Sequence, residues 1–280
     1  MRVDAHHHLW EYQAKDYAWI GENERVLMHD FLPNDLKHTL EQSNIEASVA
    51  VQARQSLDET RWLIKLAEDS ELIKGVVGWA DLRSEHLTDT LQEFRQNKCL
   101  KGFRHVVQDE ADPRFMLSAE FIRGLCILYE QNYAYDILVF AKQLPQCIEL
   151  LPQLPKDMRI VVDHIAKPEI KNATNIESWQ VGMKALAAHK NVFCKLSGMV
   201  TEASHDDWTV AQLIPYIEHV FKVFGPERIM FGSDWPVCLL AAKYKTVVNI
   251  VEQYITDNYP AHVEDIMGGN AVRFYQLSES

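Results

Sequence analysis

Several things are missing from this 280-residue sequence, and each absence narrows the reading. It contains no apolar run of about eighteen residues, so no segment reads as a membrane-crossing helix. Its N-terminus shows no basic stretch followed by an apolar one, and the default expectation is a cytoplasmic protein with no membrane partner. Basic residues are in the minority, 28 Lys and Arg against 40 Asp and Glu. The formal net charge of −12 argues against a nucleic-acid partner and disfavours a polyanionic substrate. Cysteine is sparse and odd in number, five in all, with no Cys-x-x-Cys pair, which points to reduced, mostly buried thiols. Glycine (11) and proline (10) are too few for a collagen-like or disordered chain. No linker divides the sequence. Its only dense proline patch, Pro152-Gln153-Leu154-Pro155, reads as a turn, so one domain over residues 1–280 is expected.

What is present is an alternation. Eight short β-rich apolar runs recur, at 2–5, 47–52, 75–80, 102–107, 134–139, 160–163, 192–196 and 229–231. Between them lie stretches of helical periodicity, such as Leu36, Leu40 and Ile45, or Ile214, Ile217, Val220, Phe221 and Phe224. Strand alternating with helix over this length predicts an α/β fold of the (β/α)8 barrel type. An open doubly wound sheet is the competing architecture. It calls for a glycine-rich phosphate turn after the first strand, and that place is taken by three histidines. The segment 11–33 after strand one is long and aromatic, suited to a lid or pocket wall. Residues 264–277 read as a closing helix.

His6-His7-His8 stands at the end of the first run. Alternation along a strand sends His6 and His8 to one side and His7 to the other. A purification tag is the plainer explanation, but tags are longer and do not sit in an Asp-x-His-x-His-Leu-Trp context. In a barrel the strand ends converge on one open face, where this chain offers Gln52 and Arg54, Trp79 and Asp81, Arg104 and His105, Asp163, His164 and Lys167, Lys195 and Ser197, and Asp234 and Trp235. Asp136 lies in the middle of its run. A His-x-His pair, a further His and an Asp are components of a water-activating hydrolytic site. The Asp takes a proton, and the histidines hold a divalent metal or polarise a carbonyl. Barrel closure makes strands one and eight neighbours, so His6, His8 and Asp234 are expected to meet. Plainer roles compete throughout. Asp234 would suit a helix cap, His164 a core hydrogen bond and Arg104 a salt bridge at the barrel mouth. His105 alternates away from Arg104 and reads as structural, as do Asp4 and Asp163. Trp10, Trp79 and Trp235 are pocket walls or packing.

The stretches Val3-Asp4-Ala5-His6-His7-His8-Leu9-Trp10, Gly78-Trp79-Ala80-Asp81, Gly102-Phe103-Arg104-His105, Val162-Asp163-His164-Ile165-Ala166-Lys167-Pro168, Lys195-Leu196-Ser197-Gly198 and Phe231-Gly232-Ser233-Asp234-Trp235-Pro236 together resemble the amidohydrolase superfamily. The resemblance runs nearly end to end and is to the sugar-lactone hydrolase group, with the L-fuconolactonase and L-rhamnonolactonase type most similar. It implies a barrel enzyme with Asp234 as general base. His164, His8 and Arg104 are then the other catalytic residues, with Arg104 orienting substrate. Gln52, Arg54, Trp79, Asp81 and Trp235 are the expected substrate contacts. Two-metal members carry a bridging lysine after strand four; here Phe103-Arg104-His105 has none. The resemblance therefore implies no required cofactor, or one divalent cation, zinc first, on His6, His8 and Asp234. The expected partner is a small sugar lactone, with a homo-oligomer left open. A pyrone-dicarboxylate lactonase, a metal-dependent decarboxylase of the same superfamily and a non-catalytic sugar-binding barrel are the rival readings.

Overall fold

A computed structural model describes residues 1–278; the last two residues of the expected 1–280 domain lie outside the described ones. Eight strands pair in chain order, each parallel to the next: β1 (Val3–His7), β2 (Ala47–Val51), β3 (Ile73–Gly78), β4 (Leu100–Val106), β5 (Ala134–Leu138), β6 (Ile160–Val162), β7 (Val192–Leu196) and β8 (Ile229–Phe231). The seam between β8 and β1 is closed just above the strands. The N–H of Asp234 donates to the His6 carbonyl at 2.8 Å, and that of His8 to the Trp235 carbonyl at 2.6 Å. The expected (β/α)8 barrel is the observed fold, with every strand limit within two residues of that read from the sequence.

The helices are α1 (Pro33–Glu41), α2 (Leu57–Glu68), α3 (Leu87–Phe94), α4 (Ala119–Glu130), α5 (Leu144–Leu150), α6 (Ile176–Ala187), the single turn α7 (Met199–Glu202), α8 (Val210–Phe224), α9 (Tyr244–Asn258) and α10 (Asn270–Tyr275). Local chemistry sets their ends. The Ser56 hydroxyl accepts from the N–H of Glu59 to cap α2, Ser118 caps α4 through Phe121, and Pro33 opens α1. Gly225, at φ +72°, ends α8.

Alternation along the strands sorts side chains into two cores. Ala50, Val76, Phe103, Ile137, Val162, Leu196 and Phe231 face outward and pack beneath the helices. Val3, Ala5, Val49, Val77, Val161 and Met230 face inward, where Phe274, Tyr275 and Leu277 of the C-terminal segment plug the floor. Each fully buried valine, leucine, isoleucine, methionine or phenylalanine among them contributes about 1.5–3 kcal/mol of transfer free energy. The closing helix expected over 264–277 is there, as a π-type turn at Asp265–Gly269 followed by α10.

One irregularity in β1 matters for everything above the floor. Asp4 pairs with Ser48 but His7 with Ala50, so β1 spends three steps where β2 spends two. This is a β-bulge, and it reverses which residues point inward. Val3 and Ala5 face the barrel interior; plain alternation from them would send His7 inward. After the bulge His6 and His8 face inward instead, and His7 turns out to the Ser48 hydroxyl at 3.0 Å.

Candidate active site

The inward residues above the floor are charged. Lys195 on β7 is fully buried, its Nζ 2.6 Å from Asp136 Oδ2 on β5, 3.0 Å from Asp163 Oδ1 after β6 and 3.1 Å from His6 Nδ1. The Arg104 guanidinium on β4 donates through Nη1 to Asp163 Oδ2 at 3.0 Å, and through Nη2 to the Gln52 carbonyl at 2.5 Å and its Oε1 at 3.1 Å. Two carboxylates and two cations therefore share one buried volume, each with an opposite partner, as burial of charge requires. Burial alone would raise Asp163, but Lys195 and Arg104 hold it below the ordinary carboxylate range. Asp136 is pushed up to about 6 by burial, against the pull of Lys195.

On this floor stand the residues expected at the strand ends. His8 Nδ1 hydrogen-bonds the Val51 carbonyl at 2.8 Å, which puts a proton on Nδ1 and leaves Nε2 an acceptor in the neutral ring. That Nε2 lies 3.3 Å from Asp234 Oδ1 and 3.3 Å from His6 Nε2. His164 Nδ1 shares a 2.9 Å hydrogen bond with Ser197 Oγ, and its Nε2 stands 3.8 Å from Asp234 Oδ1. Burial would raise Asp234, yet His164, His8 and Lys167 around it hold its carboxyl below the usual range. Burial and nearby cations hold His6 and His164 well below the ordinary imidazole value, so both rings are neutral at neutral pH.

Two backbone devices aim these groups. The chain leaves β6 through four consecutive left-handed residues, His164 to Lys167, with φ of 51°, 49°, 58° and 44°. For L-residues each costs about 1–2 kcal/mol, and such strain concentrates where a side chain must be held in one place. Asp234, at φ 59°, sits in a similar turn after β8. Asp4 braces the seam beneath it, accepting from the Ser233 N–H (2.9 Å), the Ser233 hydroxyl (2.6 Å), the Tyr244 hydroxyl (3.1 Å) and the His6 N–H (3.1 Å). Asp4 and Asp163 thus have the structural hydrogen-bonding roles expected of them.

The site opens into a cavity of about 390 Å³, within the range of small-molecule pockets. His8, Arg104, His164 and Asp234 are on its wall, joined by Trp10, Trp19, Gln55, Gln108, Asp109 and Lys167. The aromatic segment 11–33 contributes a pocket wall, as expected, through half-exposed Trp19. A wider hollow of about 940 Å³ lies between α8 and α9, but no histidine lines it.

Five expected substrate contacts are absent from that wall. Gln52 is fully buried beneath it, fixing Arg104 from both ends: its Nε2 donates to the Arg104 carbonyl at 3.3 Å. Arg54 pairs with Asp16 at 3.1 Å and lies over the Tyr17 ring, tying down the aromatic segment. Trp79 donates its Nε1–H to His105 Nδ1 at 3.3 Å, on the outward face of the sheet, where His105 also meets Glu110 at 2.7 Å. Asp81 is exposed and accepts from the Arg83 N–H. Trp235 is buried edge-on against Phe31. The common reason is the pleat. A polar residue near a strand end reaches the cavity only if it falls on the inward register, and loops then carry it further or away. Sequence reasoning assigned no role to Gln55, Gln108 or Asp109, which loops carry in, nor to the Lys195–Asp136 pair, whose signal is two charges inside otherwise apolar strands.

The donor set fits one divalent ion. One ligand atom each from His6, His164 and Asp234 lie within 4.8 Å of one another, with His8 Nε2 beside them. Imidazole nitrogens with a carboxylate oxygen are the ligands zinc prefers. The expected set of His6, His8 and Asp234 thus gains His164 as a further ligand candidate.

Known proteins resemble this chain over nearly its whole length. The family model described as Amidohydrolase matches residues 3–277. An L-fucono-1,5-lactonase of Burkholderia multivorans is 42% identical over 292 aligned positions, covering 100% of this chain and 97% of that protein. An L-fucono-1,5-lactonase of Burkholderia ambifaria is 34% identical, covering 99% and 96%. A solved amidohydrolase from Burkholderia multivorans with bound zinc superposes with a TM-score of 0.96 at 41% identity, over 99% of this chain and 100% of that one. Barrel topology, the His-x-His strand end facing the aspartate after β8, and a match spanning nearly the whole sequence place this chain in the amidohydrolase family.

Proposed function

We propose that the protein hydrolyses a sugar lactone of the L-fucono-, L-rhamnono- or L-galactono-lactone type to its aldonic acid. The observation that carries this reading is Asp234. Its ionised carboxylate faces His8 Nε2 at 3.3 Å on the wall of a cavity of small-molecule size. An ionised carboxylate on the cavity wall favours a hydrogen-bearing or positive guest beside it, and a water molecule is the simplest. The likeness to two L-fucono-1,5-lactonases supplies the substrate class.

In this reading Asp234 takes a proton from water as the water oxygen bonds to the lactone carbonyl carbon. Arg104 and His164, both on the cavity wall, stabilise the tetrahedral oxyanion. Collapse breaks the ring C–O bond, and Asp234 returns its proton to the leaving alkoxide. Gln55, Gln108, Asp109 and Lys167 then pair with sugar hydroxyls, while Trp10 and Trp19 meet an apolar sugar face. A divalent ion on His6, His164 and Asp234, when bound, would polarise the carbonyl. An ester-like lactone is activated enough that the protein groups suffice, so the ion is optional. Five free thiols suit a reducing compartment such as the cytoplasm.

The test is a screen of L- and D-aldonolactones with a pH indicator, with and without a chelator, beside a spectral assay with aromatic acids. Opening of an L-fucono-type lactone that persists in chelator is expected. Consumption of an aromatic acid with every lactone untouched would replace lactone hydrolysis by decarboxylation.

A further inference from the structure

We propose that Lys195 is a resident cation of the centre, placed behind His6 so that the His–Asp cluster binds divalent metal weakly. An ammonium only donates, so the 3.1 Å contact of Lys195 Nζ with His6 Nδ1 makes Nδ1 an acceptor and puts the ring proton on Nε2. That Nε2–H then has an acceptor at 3.3 Å, the His8 Nε2 whose partner nitrogen is committed to the Val51 carbonyl. The chain Lys195, His6, His8, Val51 is consistent at every link, and it leaves His6 no lone pair turned toward Asp234.

The opposite tautomer fares no better. With the proton on Nδ1, Asp163 Oδ1 at 3.4 Å could accept it beside the Lys195 ammonium, but the freed lone pair on Nε2 would face Arg104 Nη1 at 3.3 Å. Whichever nitrogen carries the proton, the lone pair of His6 is directed at a cation of the protein itself. A metal binding through Nε2 must displace one of these contacts, each made to a cation the protein has already placed there.

Lys195 cannot step aside. Asp136 Oδ2 holds it at 2.6 Å and accepts a second hydrogen bond, 2.7 Å, from the hydroxyl of Tyr275 on the floor helix α10. All three residues are fully buried or nearly so. The C-terminal plug therefore fixes the cation that opposes the metal. None of this depends on which lactone is opened, and the test needs no substrate.

Full-length protein is dialysed against buffered zinc and metal per chain is measured. Lys195→Gln is expected to bind zinc at least about tenfold more tightly than wild type, while Lys195→Arg, which keeps the charge, stays near wild type. A folded Lys195→Gln with unchanged or weaker zinc binding overturns the proposal. Should that variant not fold, Lys195→Gln with Asp136→Asn removes the ion pair together, and it should bind zinc about tenfold more tightly than Asp136→Asn alone. Nitrogen-15 NMR of wild-type protein in chelator gives an independent reading. The His6 proton is expected on Nε2; a proton on Nδ1, which turns the lone pair to Arg104 instead, overturns the role of Lys195.

Discussion

The main-chain N–H of Asp234 donates to the main-chain carbonyl of His6 across the barrel seam at 2.8 Å. The bond that closes the sheet is therefore also the one that fixes the carboxylate against the imidazole pair. The distance between Asp234 and His8 is set by backbone, and a side-chain substitution at position 234 should change chemistry without opening the barrel.

Asp234→Asn is the direct case. The amide cannot take a proton from water, and turnover should fall by at least about a hundredfold, with the melting temperature little changed. In the wild-type enzyme the proton acceptor must be ionised. Because Asp234 is held below 3.8, the fraction ionised is already complete by pH 5, so its acid limb in kcat/KM lies below that pH. A limb centred near pH 6 would assign the rate-controlling proton to another group.

Gly198 has φ +67°, a conformation that disfavours any side chain with a Cβ. A Cβ there would also stand 2.8 Å from Cβ, Cγ and Nδ1 of His164. Gly198→Ala should therefore push His164 off Ser197 and away from the cavity, lowering kcat by tenfold or more in a protein that still folds. Near-normal kcat would mean that the His164 position is not critical.

Glu59 gives a stability prediction with a definite sign. Its carboxylate is buried and accepts from the N–H groups of Ala53 (3.1 Å) and Arg54 (2.8 Å), at the base of the turn that carries Gln55 to the cavity. Burial raises its pKa from 4.5 to about 7. Between those values the folded state keeps a proton that the unfolded chain has released, so stability falls as pH rises from 4.5 through 7, by up to about 3 kcal/mol. Glu59→Gln has no such slope. Its melting temperature relative to wild type should improve between pH 5 and pH 8; a difference that does not vary with pH would show that Glu59 carries no proton in the folded protein.

The barrel was legible because it repeats. Eight apolar runs at strand length, separated by helical periodicity, admit few architectures, and the outward residues such as Phe103, Val162 and Phe231 follow from alternation alone. Arg104, His164 and Asp234 were legible for the same reason: polar groups at the ends of apolar strands have little to do in a core. Arg54, Trp79, Asp81 and Trp235 passed the same filter and do not line the cavity, because proximity to a strand end leaves open the direction in which the next turn carries a side chain.

By itself, the sequence determined that His6 and His8 share a face and His7 opposes them, since a strand repeats every two residues whatever surrounds it. Which face turned inward was decided only by the bulge between Asp4 and His7, where three steps of β1 run beside two of β2. The same holds for Lys195. Its charge and its strand are written in the chain, but Asp136, Asp163 and His6, which make its burial tolerable, come from three other strands and meet it only when the barrel closes.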